Sequence, residues 1–403
     1  MKQKVHNFYL ENEKESFKKI LNFIGEKKII YIQNKPNKSD ALIEKINYEG
    51  PGLILNSSGS KNKPKKCIHS IQNLDQSAKL SGEWLKKQGF TLDELIIYNT
   101  LPLNHISGVM SFWRSILWDC EFINISPKLI KRTEYLLEKT KSNKSLKKKC
   151  LITSMVPTQL YRLLSSQNGI KWLQLFDLVW VGGAQINSAV AEICIKEKIK
   201  ISPCYGSTET TAMISSLKSK DFLKGNKTVG EIFKDINIKI NEKGIIEVKG
   251  DRIGIELLSN SGLRSFKNEH GWWESGDLGE LIKINQTEYL NILGRSDNAF
   301  TSGGITVFPD LIKLKVKKLI FKENFPIHDF YISIFEDFEW GKRYEVILDF
   351  QKDINPAQII KSLNHLRDIS SEWERHERPL RWIPYSKSNK KFKKEKNNWK
   401  EMT

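Results

Sequence analysis

Apolar runs of strand length alternate with segments of helical period through the first two thirds of the chain. No other feature limits the fold as much. Leu53–Asn56, Glu94–Tyr98, Cys150–Ser154, Phe176–Gly182 and Lys200–Cys204 read as buried strands. Between them, Asn73–Lys87, Gly108–Trp118, Pro157–Leu164 and Asn187–Glu197 carry apolar residues at helical spacing. Strand and helix in alternation imply an α/β fold with mostly parallel sheets flanked by helices. From about Val229 to Leu293 short strands with Gly and Asn turns take over, as in Ile245–Val248 and Tyr289–Ile292, predicting a small β-rich unit. After Asp297 the pattern is compact α+β, with helices at Asp310–Ile320 and Pro356–Arg367 and strands at Asp329–Ile334 and Tyr344–Phe350. At 403 residues the chain is longer than one core comfortably fills. The turn-rich stretch Gly294–Asp297 is the expected boundary between a large domain, 1–294, and a small C-terminal domain, 295–403.

Composition narrows the class. The five cysteines (Cys67, Cys120, Cys150, Cys194 and Cys204) are scattered without ligand-like spacing, which speaks for reduced thiols and a cytoplasmic setting and against structural zinc. No apolar run is long enough to span a bilayer, and the start Met1-Lys2-Gln3-Lys4-Val5-His6 lacks an apolar signal core, so no membrane insertion is expected. The net charge of +18 is spread over nearly every segment and marks no single stripe. It therefore argues for attraction of small anions such as nucleotides more than for nucleic-acid binding.

Three loops carry chemistry. Ser57-Ser58-Gly59-Ser60-Lys61-Asn62-Lys63-Pro64-Lys65 follows a strand and combines hydroxyl donors, a glycine permitting close backbone approach, and the cation of Lys65. That set suits a polyphosphate. Tyr205-Gly206-Ser207-Thr208-Glu209-Thr210 lies at a strand's carboxyl end, where open α/β sheets bind ligands. It puts a hydroxyl beside a carboxylate, as a phosphate and its divalent cation require. The third, Gly294-Arg295-Ser296-Asp297, runs on to the paired glycines Gly303-Gly304. Each alone could be a structural turn.

Together and in this order the loops resemble the adenylate-forming superfamily of acyl-CoA synthetases, luciferases and peptide-synthetase adenylation domains. The resemblance covers the chain from about Pro51 to its end, and its departures are specific. Lys61 and Asn62 replace the usual Thr and Gly of the phosphate loop, and only about fifty residues precede that loop, so the N-terminal part should be shortened. The likeness implies ATP, Mg2+ and coenzyme A as ligands. It assigns Ser57, Ser58, Gly59, Ser60 and Lys65 to the ATP phosphates, and Gly183 and Ala184, after a strand, to one side of the adenine. In the second loop Gly206 and Ser207 line the nucleotide, Tyr205 stacks on the base, Thr208 touches the α-phosphate and Glu209 holds Mg2+. Asp277, in Ser275-Gly276-Asp277, would accept from the ribose hydroxyls, and Arg295 would reach the ribose or a phosphate. Asp297 would be the hinge of the C-terminal lid, and Gly303 and Gly304 would line the pantetheine path. In the tail Asn389-Lys390-Lys391-Phe392, Lys391 stands where the family's catalytic lysine is expected, with Lys390 displacing a glycine.

Two further stretches narrow the resemblance to o-succinylbenzoate–CoA ligases of menaquinone and phylloquinone biosynthesis. They are Ser154-Met155-Val156-Pro157-Thr158-Gln159-Leu160-Tyr161-Arg162-Leu163-Leu164 and Leu101-Pro102-Leu103-Asn104-His105-Ile106-Ser107-Gly108 with Trp113-Arg114. A lone arginine in an apolar helix is costly unless paired, or else it snorkels from the helix end. The resemblance makes Arg114 the partner of a substrate carboxylate and His105 a wall beside the reacting one. The implied activity is an AMP-forming acid–thiol ligase acting on o-succinylbenzoate, with small molecules as partners and self-association left open. An acyl- or aryl-CoA ligase of other specificity, or a non-catalytic nucleotide- or nucleic-acid-binding protein, are the alternatives.

Overall fold

The computed structural model describes residues 3–10, 13–34, 45–57, 65–143, 149–258, 262–284, 286–385, 392–395 and 398–401. The chain folds as two compact units, Met1–Ser275 with Gly279–Ile292, and Gly276–Leu278 with Leu293–Thr403.

The first unit is built on two sheets. In the larger, five strands lie side by side in parallel: Glu121–Asn124, Leu95–Asn99, Cys150–Met155, Leu178–Val181 and Ile201–Ser207. The three central strands, Leu95–Asn99, Cys150–Met155 and Leu178–Val181, are almost wholly buried, as a parallel sheet covered on both faces demands. Helix Pro157–Leu164 starts on a proline, whose fixed φ suits a first turn, and Gln159 reaches back to the backbone N–H of Val156. Trp172 and Phe176 fill the space between helices and sheet, the Trp172 indole donating to Thr140 Oγ1 at 2.9 Å.

At Ile201–Ser207 the sheet changes character, because its other neighbour, Ala212–Ser216, runs antiparallel. The β-rich stretch expected from the sequence is no separate layer. Glu231–Ile232, Thr287–Arg295, Trp273–Ile284, Ile245–Lys249 and Asn237–Ile240 continue the same sheet outward. The second sheet is mixed. Gln3–Tyr9, Ile29–Gln33 and Gly52–Asn56 are parallel, while Lys66–Ser70, Ile255–Leu257 and Leu263–Ser265 follow antiparallel. Helix Ile71–Lys86 begins on Ser70, whose hydroxyl accepts from the Asn73 N–H, and it lies against helix Ile106–Leu117.

The second unit holds the long hairpin Ile327–Asp337 and Gly341–Phe350, joined by Trp382–Pro384 and the small hairpin Phe300–Ser302 and Ile305–Val307. Helices Pro309–Lys322 and Pro356–Ser371 close over Val316, Val346, Leu348 and Leu366. The second helix opens with a capping box between Asn355 and Gln358. At the chain's end Phe392–Glu395 pairs with Asn398–Glu401.

Candidate active site

The carboxyl ends of four parallel strands converge on one cavity of about 470 Å³. Leu101 and Pro102 follow the first strand, Ser154, Met155 and Val156 end the second, Gly182 and Gly183 follow the third, and Gly206, Ser207 and Thr208 close the fourth. This is where parallel α/β sheets leave a crevice, because each chain turns away into a helix. His105, Ile106, Ser107 and Arg114 of one helix and Thr158, Gln159 and Arg162 of another complete the wall, with Trp180, Cys204, Ala212 and Met213.

Of the two arginines lining the cavity, Arg114 is the buried one. Its side chain is 3% exposed, and its Nε donates to Ser81 Oγ at 3.0 Å. The guanidinium carbon lies 5.1 Å from the Trp180 ring centre and 6.0 Å from that of Trp118. Its Nη2 is buried without a hydrogen-bond partner. Burial lowers the guanidinium to about 10, so it stays charged at neutral pH. A buried cation of this kind accumulates unmet demand for an anion. His105 stands at the N-cap of the same helix without capping it through its side chain, and burial holds its pKa below the usual histidine value. Cys204 lines the same wall as a free thiol pushed up to about 12 by burial, which leaves it neutral and inert.

The Thr208–Glu209 turn joins Ile201–Ser207 to Ala212–Ser216. Thr210 Oγ1 accepts from the Ser207 N–H at 2.9 Å and donates to the Ala212 carbonyl at 2.8 Å, closing the turn on itself. Thr208 is buried at the cavity wall. Tyr205, one residue off in strand alternation, instead packs against the cluster of Ile214, Ile236 and Trp273. Tyr205, Ala184 and Glu209 lie outside the residues lining the cavity. Among the described residues no three His, Cys, Asp or Glu side chains cluster as a metal cage. A lone Glu209 nevertheless fits Mg2+, which prefers one or two carboxylates with phosphate oxygens and water.

The segment that the sequence assigns to the ATP phosphates connects two antiparallel strands, Gly52–Asn56 and Lys66–Ser70. Its neck is fixed: the Ser57 N–H donates to the Lys65 carbonyl at 2.7 Å, and the Lys65 N–H to Ser57 Oγ at 3.1 Å. Lys65 Nζ lies 5.7 Å from the Phe266 ring centre. Ser58, Gly59 and Ser60 fall outside the described residues, as does Lys391.

In the second unit Arg295 Nη1 donates to Asp277 Oδ1 at 2.8 Å and Nη2 to Asp297 Oδ2 at 3.2 Å. Burial works against that charge, but Asp297 and Asp277 outweigh it and raise the pKa. Asp277 and Arg295 thus form one ion pair with Asp297 attached. Gly303 and Gly304 turn the small hairpin with φ of 57° and 81°, a two-residue turn that any side chain would strain. A Cβ on Gly303 would also lie 2.7 Å from the Trp340 ring.

The chain belongs to the AMP-binding enzyme family, whose model matches residues 8–254. It is 27% identical over 286 residues to the 2-succinylbenzoate–CoA ligase of Listeria monocytogenes, an alignment covering 68% of this chain and 58% of that one. To the enzyme of the same name from Escherichia coli it is 26% identical over 331 residues, or 81% of this chain and 63% of the other. It therefore spans roughly six tenths of these relatives' length. In fold it is similar to o-succinylbenzoate CoA synthetase of Bacillus subtilis in complex with its acyl-adenylate intermediate, with a TM-score of 0.60, 18% identity, and 95% of this chain and 84% of that chain covered. Wild-type E. coli MenE with a bound m-phenylether-linked analogue of OSB-AMS gives a TM-score of 0.64 at 21% identity, covering 89% of this chain and 74% of that chain. No helix among the described residues is long and apolar enough to cross a membrane.

Neither Trp180 nor Cys204 stood out in the sequence as a wall residue, since both sit inside apolar strand runs. The alternating direction of strand side chains would have placed Trp180, Gly182, Cys204 and Gly206 on one face.

Proposed function

We propose that this chain is an ATP-dependent acid–thiol ligase that adenylates 2-succinylbenzoate and passes the acyl group to coenzyme A. The observation that carries this reading is the buried, unpartnered Nη2 of Arg114 in a cavity shared with Gly183, Ser207 and Thr208. The acid has two carboxylates. One would meet Arg114, and the other would lie toward Thr208 and His105, where ATP reacts. That carboxylate attacks the α-phosphorus, forming the acyl-adenylate and expelling pyrophosphate. The thiol of coenzyme A then attacks the acyl carbon and AMP leaves with the electron pair.

In this reading the protein supplies position and charge rather than a covalent nucleophile. Ser57 to Ser60 and Lys65 would hold the β- and γ-phosphates, and Thr208 would donate to the α-phosphate. Glu209 would hold Mg2+, which neutralises phosphate charge. Gly183, Ala184 and Tyr205 would flank the adenine, and Asp277 with Arg295 would take the ribose. The region 295–403 would act as the lid, turning near Asp297, with Lys391 serving adenylation and Gly303-Gly304 the pantetheine arm. Free thiols throughout the described residues fit a reducing, cytoplasmic setting.

The test is thioester formation across a panel of aryl and alkyl acids with ATP, Mg2+ and coenzyme A. We expect 2-succinylbenzoate to lead the panel with AMP as co-product. A protein that binds ATP but releases no pyrophosphate with any acid would sink the ligase reading. A monocarboxylic acid leading the panel would change its substrate.

A further inference from the structure

Behind the Thr208–Glu209 turn lies a second buried arginine with no place in the chemistry above. Arg252 is 1% exposed, and its donors are engaged on every side. Nε donates to Asp235 Oδ2 at 2.7 Å. Nη1 donates to Ser77 Oγ at 3.1 Å and to the carbonyls of Thr210 and Thr211 at 3.2 and 3.3 Å. Nη2 donates to the Met213 carbonyl at 3.0 Å. The contact is returned, since the Thr211 hydroxyl donates to the Arg252 carbonyl at 2.6 Å. With that proton committed, Thr211 Oγ1 accepts from His69 Nδ1 at 3.0 Å. Ser77 adds its own hydroxyl to the Thr211 carbonyl at 2.6 Å, and Gly254 N–H holds the Glu209 carbonyl at 2.8 Å.

These bonds fall where the backbone resists its conformation. Thr211 and Ala212 have φ of 54° and 72°, the left-handed region that side-chain-bearing residues avoid. A β-branched residue persists there only when its surroundings over-determine it. Gly206 cannot yield, because a Cβ on it would lie 2.1 Å from the Ala212 carbonyl oxygen. The turn that presents Thr208 and Glu209 is thus shaped by a strained pair, and the carbonyls around that pair are gathered by one guanidinium.

We propose that Arg252 is a positioning residue for this turn: through Ser77 and the carbonyls of Thr210, Thr211 and Met213 it holds Thr208 and Glu209 in a ligand-ready shape before any ligand arrives. Only the ligand readout below rests on the ligase reading; the conformational readout does not.

The experiment compares amide hydrogen exchange of the unliganded full chain with that of Arg252→Lys and Ser77→Ala. Lysine keeps the charge but cannot span the carbonyls. Exchange across Thr208–Met213 should quicken at least about tenfold in Arg252→Lys and roughly two- to tenfold in Ser77→Ala, while Leu178–Val181 exchanges as in wild type. Unchanged exchange in the turn, or equal quickening everywhere, would overturn the proposal. Should Arg252→Lys fail to fold, Ser77→Ala decides by the same criterion. ATP affinity, measured by calorimetry without an acid substrate, should weaken by the same factors, and full affinity with a loosened turn would also overturn it. Wild-type protein that binds no ATP would remove the ligase reading, leaving the exchange result to judge Arg252 alone.

Discussion

Two arginines are buried against one face of helix Ile71–Lys86, and they differ in what surrounds them. Arg252 reaches Ser77 and Arg114 reaches Ser81, one helical turn along. Arg252 has a carboxylate, Asp235, and three backbone carbonyls around its fork. Arg114 has one hydroxyl, two indole faces and an Nη2 with nothing to bond. Burial lowers the pKa of both. A satisfied buried charge holds structure together, whereas an unsatisfied one beside a cavity is, in the function proposed above, kept for a ligand. The distinction is exposed to experiment because the two roles respond oppositely to removal of the charge.

The largest effect should come from Arg252→Met. It strips Asp235 of its cation and leaves the carbonyls of Thr210, Thr211 and Met213 short of donors inside the core. Breaking a buried pair from one side costs about 3–5 kcal/mol. Urea unfolding of the unliganded protein should show a loss of that size, and a loss below about 1 kcal/mol would place Arg252 with the idle charges.

The network also sets a pH dependence. His69 donates to Thr211 and is fully buried, which holds its pKa down from the ordinary 6.5 to about 4. Between those values the unfolded chain binds more protons than the folded one. Stability is therefore fully present above about pH 6.5 and is lost as pH falls toward about 4. The full shift corresponds to ~3 kcal/mol. His69→Asn, whose amide can still donate to Thr211, should flatten that slope in unfolding curves taken from pH 7 to pH 4. A slope equal to wild type would assign the dependence to other groups.

The contrast between these arginines also marks what the sequence could reveal. Arg114 was legible as a candidate because a lone cation interrupts an otherwise apolar helix, Ile106–Leu117, and must either find a partner or snorkel; the structure decides for burial. Arg252 was not. It sits in Lys249-Gly250-Asp251-Arg252-Ile253-Gly254, which reads as a solvated charged turn. Its burial depends on Asp235, 17 residues away, and on Ser77, 175 residues away. Local pattern carries no trace of partners that distant. The same rule holds for the fold. Helix Pro157–Leu164 falls where its period and starting proline put it. The joining of Ile255–Leu257 to Lys66–Ser70, and of the β-rich strands to the parallel sheet, are long-range pairings that strand periodicity leaves open.

On the ligand side the order reverses. Arg114→Ala should raise KM for 2-succinylbenzoate about ten- to a hundredfold while KM for ATP changes little. A charge-assisted hydrogen bond is worth roughly 1.5–3 kcal/mol. Steady-state kinetics with a matched monocarboxylic acid provides the control. An equal loss for that acid would mean Arg114 shapes the cavity without reading the second carboxylate.

The smallest expected effect tests the comparison most sharply. Arg114→Met in the unliganded protein should change unfolding free energy by less than about 1 kcal/mol in either direction. The side chain loses one hydrogen bond, worth about 1 kcal/mol, and its contact with two indole faces, worth about 0.5–2 kcal/mol. Against this, the folded state no longer keeps an unpaired cation out of water, a cost of several kcal/mol. Methionine is flexible and polarisable and packs readily against the rings of Trp118 and Trp180. Ser81 is not stranded, because its hydroxyl already donates to the carbonyls of Ser77 and Ala78. A near-neutral or stabilising result beside a large loss for Arg252→Met would mean that the fold bears the Arg114 charge at its own expense. A loss of 3 kcal/mol or more would make Arg114 a second structural cation and remove the strongest support for an acid-binding cavity.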